Sequence, residues 1–243
     1  MTMHTSTITR TRTRIRTTTP TRIRTILTTP MITDPALTLH RWLSPSYPVG
    51  AFAYSHGIEG AVAEGWVHDT PSTADWIRDV LSHGAGHNDA ILLAAAYHAT
   101  PETLPEIAEL ATALAPSASR RTETLQQGAA FAATTAAVHD LDIPSMPYPV
   151  PLGRAARLMD LPLELTLRLF LQAFAANLTS AAIRLVPLGQ TDGQRIQLSL
   201  QPLCEALAHE ALPGDLDSLG SCALLSDIAA MRQEALTTRL FRS

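Results

Sequence analysis

Residues 163–185 restrict what this chain can become more than any other stretch. Leu163, Leu167, Phe170, Leu171, Phe174 and Leu178 recur at three- and four-residue spacing. They mark one wide apolar face on a helix from Leu163 to Leu185. A helix gains most of its stability from covering such a face, so other elements must pack on it.

The rest of the chain supplies further helices, punctuated by Pro and Gly. Leu37, Leu39, Trp42 and Leu43 begin a short helix that Pro45 ends, and Ile58 to Glu64 form a second, stopped by Gly65. Thr70-Pro71 opens a third, with Ser72 and Asp75 at capping-box spacing and Trp76, Ile77, Val80 and Leu81 as its stripe. Gly84 and Gly86 interrupt it before Asp89 to His98, whose run from Ile91 to Ala96 is apolar enough to be central to a core. Thr100-Pro101 repeats the Thr-Pro start for a helix carrying Leu104, Ile107, Leu110, Ala111 and Leu114, closed by Pro116. Residues 118–139 form a longer helix rich in small residues, and Pro144, Pro147, Pro149 and Pro151 predict an extended linker after it. Beyond the break at Pro187 to Gln190, Thr191 and Gln194 have capping-box spacing ahead of Ile196, Leu200, Leu203 and Leu207. A last helix covers roughly 223–236. β-Branched runs are few and no hairpin turn separates alternating segments, so the fold class is all-α. The expectation is a single globular domain of roughly eight to eleven helices over residues 34–243.

Residues 1–33 stand apart. They hold six Arg, no Asp or Glu, and Thr at nearly every other position. Arg-rich, hydroxyl-rich, acid-free segments resemble organelle transit peptides and also describe a disordered arm. A third reading is an upstream start codon assigned in error, since Met31 stands just before the first helix. The expectation is a disordered arm, with a misplaced start as its cause and no function attached.

Without that arm the charge argument changes. Residues 31–243 carry 12 Arg against 22 acids, a formal charge of −10, whereas the whole chain is −4. An acidic body argues against nucleic acid as the main partner, because phosphate neutralisation needs clustered cations, and suits a basic protein. No uncharged apolar run is long enough to span a membrane. Cys204 and Cys222 are too few for a disulfide framework, which makes a reducing, cytoplasmic home the default.

Reactive constellations are scarce. His83 and His87 have i, i+4 spacing and His98 lies downstream, but Gly84 and Gly86 make a shared helix face doubtful and no third ligand has diagnostic spacing. These three are weak metal candidates, and no metal site is expected. There is no G-x-S-x-G, and Cys222 has no evident His partner. Gly189-Gln190-Thr191-Asp192-Gly193 lacks the Gly-Lys-Ser/Thr of a phosphate loop and reads as a helix start. Glu205 and Glu210 fall on a solvated face.

Two other stretches carry more information. From Pro45 to Glu59, Pro45 and Pro48 forbid a helix, Gly50 permits a conformation that a Cβ would resist, and Tyr47, Phe52 and Tyr54 crowd into eight positions. Ser55 then stands where it can cap the helix of Ile58 and Glu59. A stiff aromatic loop suits a contact surface, and it equally suits a plug over the core. At the other end, Arg239-Leu240-Phe241-Arg242-Ser243 places two apolar residues between guanidinium groups, which fits a docking peptide or a tail folded onto its own core.

The loop resembles the N-terminal signature of the UreF family of urease accessory proteins in Ser44, Pro45, Pro48, Gly50, Phe52, Tyr54, Ser55, Gly57, Ile58 and Glu59. Arg184 to Gln194 is similar to the family's central block, and residues 239–243 to its usual ending. Gly128 within residues 123–128, and Asn88-Asp89, are lesser matches. The resemblance covers about residues 37–243, with two departures. His56 stands where Gln is common, and Gln233-Glu234 where many members carry His-Glu, so a role resting on that His does not carry over. The resemblance implies an all-helical, homodimeric, non-enzymatic scaffold required for nickel incorporation into urease. It would bridge a UreD/UreH-type protein and the GTPase UreG and reach the urease apoprotein through the complex. No cofactor is stably bound in that picture: nickel is in transit through the assembly, and GTP is held by the partner alone. The partner-binding residues it implies are Pro48, Gly50, Phe52, Tyr54, Ser55, Glu59, Arg184, Pro187, Gly189, Gln190, Glu234, Arg239, Leu240, Phe241, Arg242 and Ser243. Two alternatives stay open. One is a regulator of the GTPase that places Arg184 or Arg239 at its active site. The other is a metallochaperone that carries nickel on His83, His87 or His98.

Overall fold

The computed structural model describes residues 34–220 and 222–243. The arm expected at 1–33 therefore lies outside the described residues. Among these, every regular element is helical: α1 (Pro35–Leu43), α2 (Ile58–Ala63), α3 (Thr70–His83), α4 (Ala85–His98), α5 (Leu104–Ala113), α6 (Ala118–His139), α7 (Pro149–Leu158), α8 (Leu163–Leu185), α9 (Gln190–Ala211) and α10 (Leu224–Gln233). Single 3-10 turns lie at Ala51–Ala53 and Leu216–Ser218. All-α is the observed class.

α4 is the centre. Ala90, Ile91, Leu92, Leu93, Ala94, Ala95 and Ala96 are all buried, and α3, α5, α7, α8 and α9 pack around them. The helix has no polar stripe because it has almost no solvent side. α8 lays Leu167, Phe170, Leu171, Ala175 and Leu178 against this core, and α9 runs beside it with Ile196, Leu200 and Leu207 turned inward.

Several local expectations shift. The cap of α3 is Asp69, paired reciprocally with Ser72, rather than Ser72 with Asp75; a carboxylate one residue before Thr-Pro is the stronger acceptor. α5 starts at Leu104 with Pro105 in its first turn, because residues 101–103 form a separate turn. Pro149 and Pro151 belong to α7, not to a linker: in a helix's first turn the missing N–H has no intrahelical acceptor to lose. α9 begins at Gln190 with Gly189 as N-cap and no side-chain cap, so Thr191 and Gln194 form no box.

Candidate functional site

The aromatic loop and the last five residues, far apart in sequence, form one structure. Gly50 takes φ +75° to launch the 3-10 turn, and Gly57 takes φ +81° as N-cap of α2. Ser55 is not the N-cap, although its Oγ still accepts the Glu59 N–H at 3.4 Å. Its main partner is the tail: Ser55 donates both its N–H and its Oγ–H to the Ser243 carbonyl oxygen, each at 2.6 Å. The Arg242 N–H donates to the Ala53 oxygen at 2.8 Å. Glu59 holds the preceding turn, its carboxylate accepting the Leu240 N–H at 2.6 Å and the Phe241 N–H at 2.9 Å.

Phe241 and Ser243 are buried by these contacts, and Arg184 stacks over the Phe241 ring while donating to the Phe52 carbonyl oxygen at 3.3 Å. Gln233, fully buried on α10, ties the helices beneath. It accepts from the Ser55 hydroxyl at 3.3 Å and the Gly60 N–H at 3.4 Å, and donates to Glu59 at 3.3 Å. α10 reaches α2 this closely because Gly60 has no side chain; a Cβ there would stand 2.4 Å from the Ala229 carbonyl oxygen.

Below the tail lies a buried charge cluster. Glu123 on α6 accepts from His56 Nε2 at 2.8 Å, pairs with Arg120 and takes the Ser243 hydroxyl. Burial alone would raise the Glu123 carboxyl, but the Arg120 guanidinium and His56 hold it well below the usual carboxylate range. His56 is pushed down by burial and then by Arg120, so the imidazole is neutral at pH 7 despite its contact with Glu123. The cluster forms the floor of a cavity of about 220 Å³ walled by Trp42, Tyr47, Phe52, Tyr148, Phe170 and Phe174. Asp89 of α4 also faces this cavity, and burial lifts its carboxyl to about 7 against the pull of Arg120.

The structure brings together Gly50, Phe52, Tyr54, Ser55, Glu59, Arg184, Leu240, Phe241, Arg242 and Ser243. Of these, Phe52, Arg184, Leu240 and Arg242 are exposed, whereas Tyr54 and Ser55 are buried within the chain. Pro48 and Arg239 are exposed at the margins. Pro187 and Gly189 sit in the turn between α8 and α9, Gln190 opens α9, and the three make none of the tail's hydrogen bonds among the described residues. Glu234 turns to α6 and accepts the Ser119 N–H at 2.8 Å.

The metal candidates do not converge. His83 closes α3, and Gly84 breaks the chain there, so His87 belongs to α4 and the two share no helix face. His98 Nε2 donates to the Leu212 carbonyl oxygen at 3.0 Å, and no metal-binding group of three or more His, Cys, Asp or Glu exists among the described residues. Sequence reasoning gives no site role to Asp89, Arg120, Glu123 or Gln233. A signal was present in Arg120 and Glu123: opposite charges at i, i+3 opening a helix otherwise rich in small residues.

A family model described as UreF matches residues 67–201. The chain is 55% identical over 208 residues to "Urease accessory protein UreF" from Cereibacter sphaeroides, covering 85% of this chain and 98% of that protein. It is 48% identical over 213 residues to the protein of the same name from Roseobacter denitrificans (88% of this chain, 96% of that protein). With the one from Rhodopseudomonas palustris it shares 44% identity over 230 residues, covering 88% and 95%.

Proposed function

The chain belongs to the UreF family, and from that premise we propose that it is a non-enzymatic scaffold for urease maturation, bridging a UreD/UreH-type protein and the GTPase UreG. One observation carries the reading beyond family membership: the loop and the tail are locked into a single ordered surface on which Pro48, Phe52, Arg184, Leu240 and Arg242 stand exposed. Exposed apolar groups flanked by guanidinium groups, on a backbone already fixed by hydrogen bonds, lose little entropy when a partner lands on them. This face is assigned to the UreD/UreH-type protein. UreG is assigned to a homodimer, GTP to UreG alone, and nickel to passage through the assembly toward the urease apoprotein. Among the described residues no helix is long and apolar enough to cross a membrane, in keeping with a cytoplasmic place for this assembly.

Of the two residues considered for a role at the GTPase active site, Arg184 is engaged with Phe52 and Phe241, which leaves Arg239. Co-expression with the UreD/UreH-type and UreG partners, followed by size-exclusion chromatography, tests the scaffold. The wild-type chain should co-elute with the first partner, and deletion of residues 239–243 should abolish that complex. Retention of the complex by the deletion variant overturns the assignment of this face.

A further inference from the structure

The cavity beneath the loop has a chemistry that bridging two proteins leaves unused. Its walls are aromatic and its floor is charged, but the floor groups are unequal. Glu123 is fully engaged by Arg120, His56 and Ser243. Asp89 has no hydrogen-bond or ion-pair partner among the described residues, although it lines both this cavity and a smaller one of about 60 Å³ on its other side. With Arg120 neutralised by Glu123, Asp89 presents the one uncompensated acidic group there. Aromatic faces favour cations, and a carboxylate in a partly dry site favours a planar donor that can meet both oxygens. Space permits such a group: an apolar cavity of about 150 Å³ already admits a benzene ring, and this one is larger.

We propose that this cavity is a binding site for a guanidinium or amidinium group on a short apolar stem, with Asp89 as its counter-ion and Trp42, Tyr148, Phe170 and Phe174 around the stem. Phe52 and Arg184 are exposed at the cavity, Arg184 turned toward the Phe52 carbonyl oxygen and the Phe241 ring, and Ala173, Asn177 and Ser180 of α8 line the same cavity. The assignment is independent of the partners named above.

The test is calorimetric titration of the full-length protein with benzamidine, and with benzamide as its neutral isostere. Intrinsic tryptophan fluorescence, to which Trp42 of the cavity wall contributes, serves as a second readout. Benzamidine should bind with a Kd below the millimolar range, benzamide about tenfold or more weaker, and Asp89→Asn should lose about tenfold or more of the benzamidine affinity, as expected for a charge-assisted pair. Agmatine and an acetyl-Gly-Arg-Gly-amide peptide then distinguish a free cation from an arginine side chain as the occupant; binding of either supports the site. Equal affinity for benzamidine and benzamide, an unchanged Asp89→Asn titration, or no response to millimolar benzamidine overturns it. The comparison of the two ligands on the wild-type protein stands even if the variant fails to fold.

Discussion

Glu59 grips Phe241 by its backbone. The carboxylate accepts the Phe241 N–H at 2.9 Å, and its second oxygen takes the Leu240 N–H at 2.6 Å. One side chain near the start of α2 thus satisfies two consecutive donors of a segment that has no helix or strand of its own.

That grip has a measurable strength. Glu59→Gln places an amide donor against one of the two N–H groups, and hydrogen bonds to a charged acceptor are worth about 1.5–3 kcal/mol. The variant should unfold at lower temperature and release its last residues to carboxypeptidase Y faster than the wild type. Equal digestion rates would mean that Ser55 and Phe241 hold the tail without Glu59.

The cluster under the tail predicts an asymmetric response. Glu123→Leu leaves Arg120 buried without its partner, at a cost of about 3–5 kcal/mol. Adding Arg120→Met should recover much of the loss, since a buried ion pair replaced as a unit costs little. Denaturant unfolding of the two single variants and the double variant reads the coupling. Additive losses would show that the pair is not the organising contact.

Acid and base act on this site through different carboxyls. The Asp89 carboxyl is raised to about 7 in the folded chain from an ordinary 3.8, so its contribution to stability is fully present below pH 3.8 and is lost as pH rises toward 7. Glu123 is depressed, so its contribution is present above its ordinary value of 4.5 and is lost as pH falls through the lower folded value. Asp89→Asn should therefore flatten the decline between about pH 4 and pH 7, by at most about 4 kcal/mol and by less to the extent that the half-buried carboxyl is hydrated. Unfolding free energies of both proteins at pH 5, 6, 7 and 8 decide it. Parallel curves would exclude Asp89 as the source.

Close helix packing makes a further prediction. Gly60→Ala sets a methyl group 2.4 Å from the Ala229 carbonyl oxygen, which neither helix can absorb without moving. A cost of about 2 kcal/mol, typical of overpacking, corresponds to a Tm lower by about 4–8 °C in a protein of this size. Differential scanning calorimetry measures it, and an unchanged Tm would show that α2 and α10 separate freely.

Much of this architecture was legible from spacing alone. α6 and α8 begin and end where the residue pattern places them, because neither contains Pro and both have clear ends: Ser117 caps α6, and Pro162 and Pro187 bracket α8. α7 is not legible in this way, since Pro149 and Pro151 look like helix breakers although a first turn accepts them. Loop and tail were each conspicuous, yet nothing in either indicates that Ser55 meets Ser243. That contact depends on α2 and α10 packing through Gly60. Asp89 was least legible of all. Beside Asn88 on the central helix it looks like any capping-turn acid, and only the fold shows that its surroundings are two cavities and a neighbour already paired.

The enclosure of α4 on nearly every side has a dynamic consequence. A helix sheathed by five others cannot fray without the whole molecule coming apart, so its amides from Ala90 to Ala96 should be the last to exchange with deuterated solvent, at the rate of global opening. Asp89 is thereby mounted on the stiffest post in the protein, while Ala51 and Phe52, which line the same chamber, belong to a single 3-10 turn.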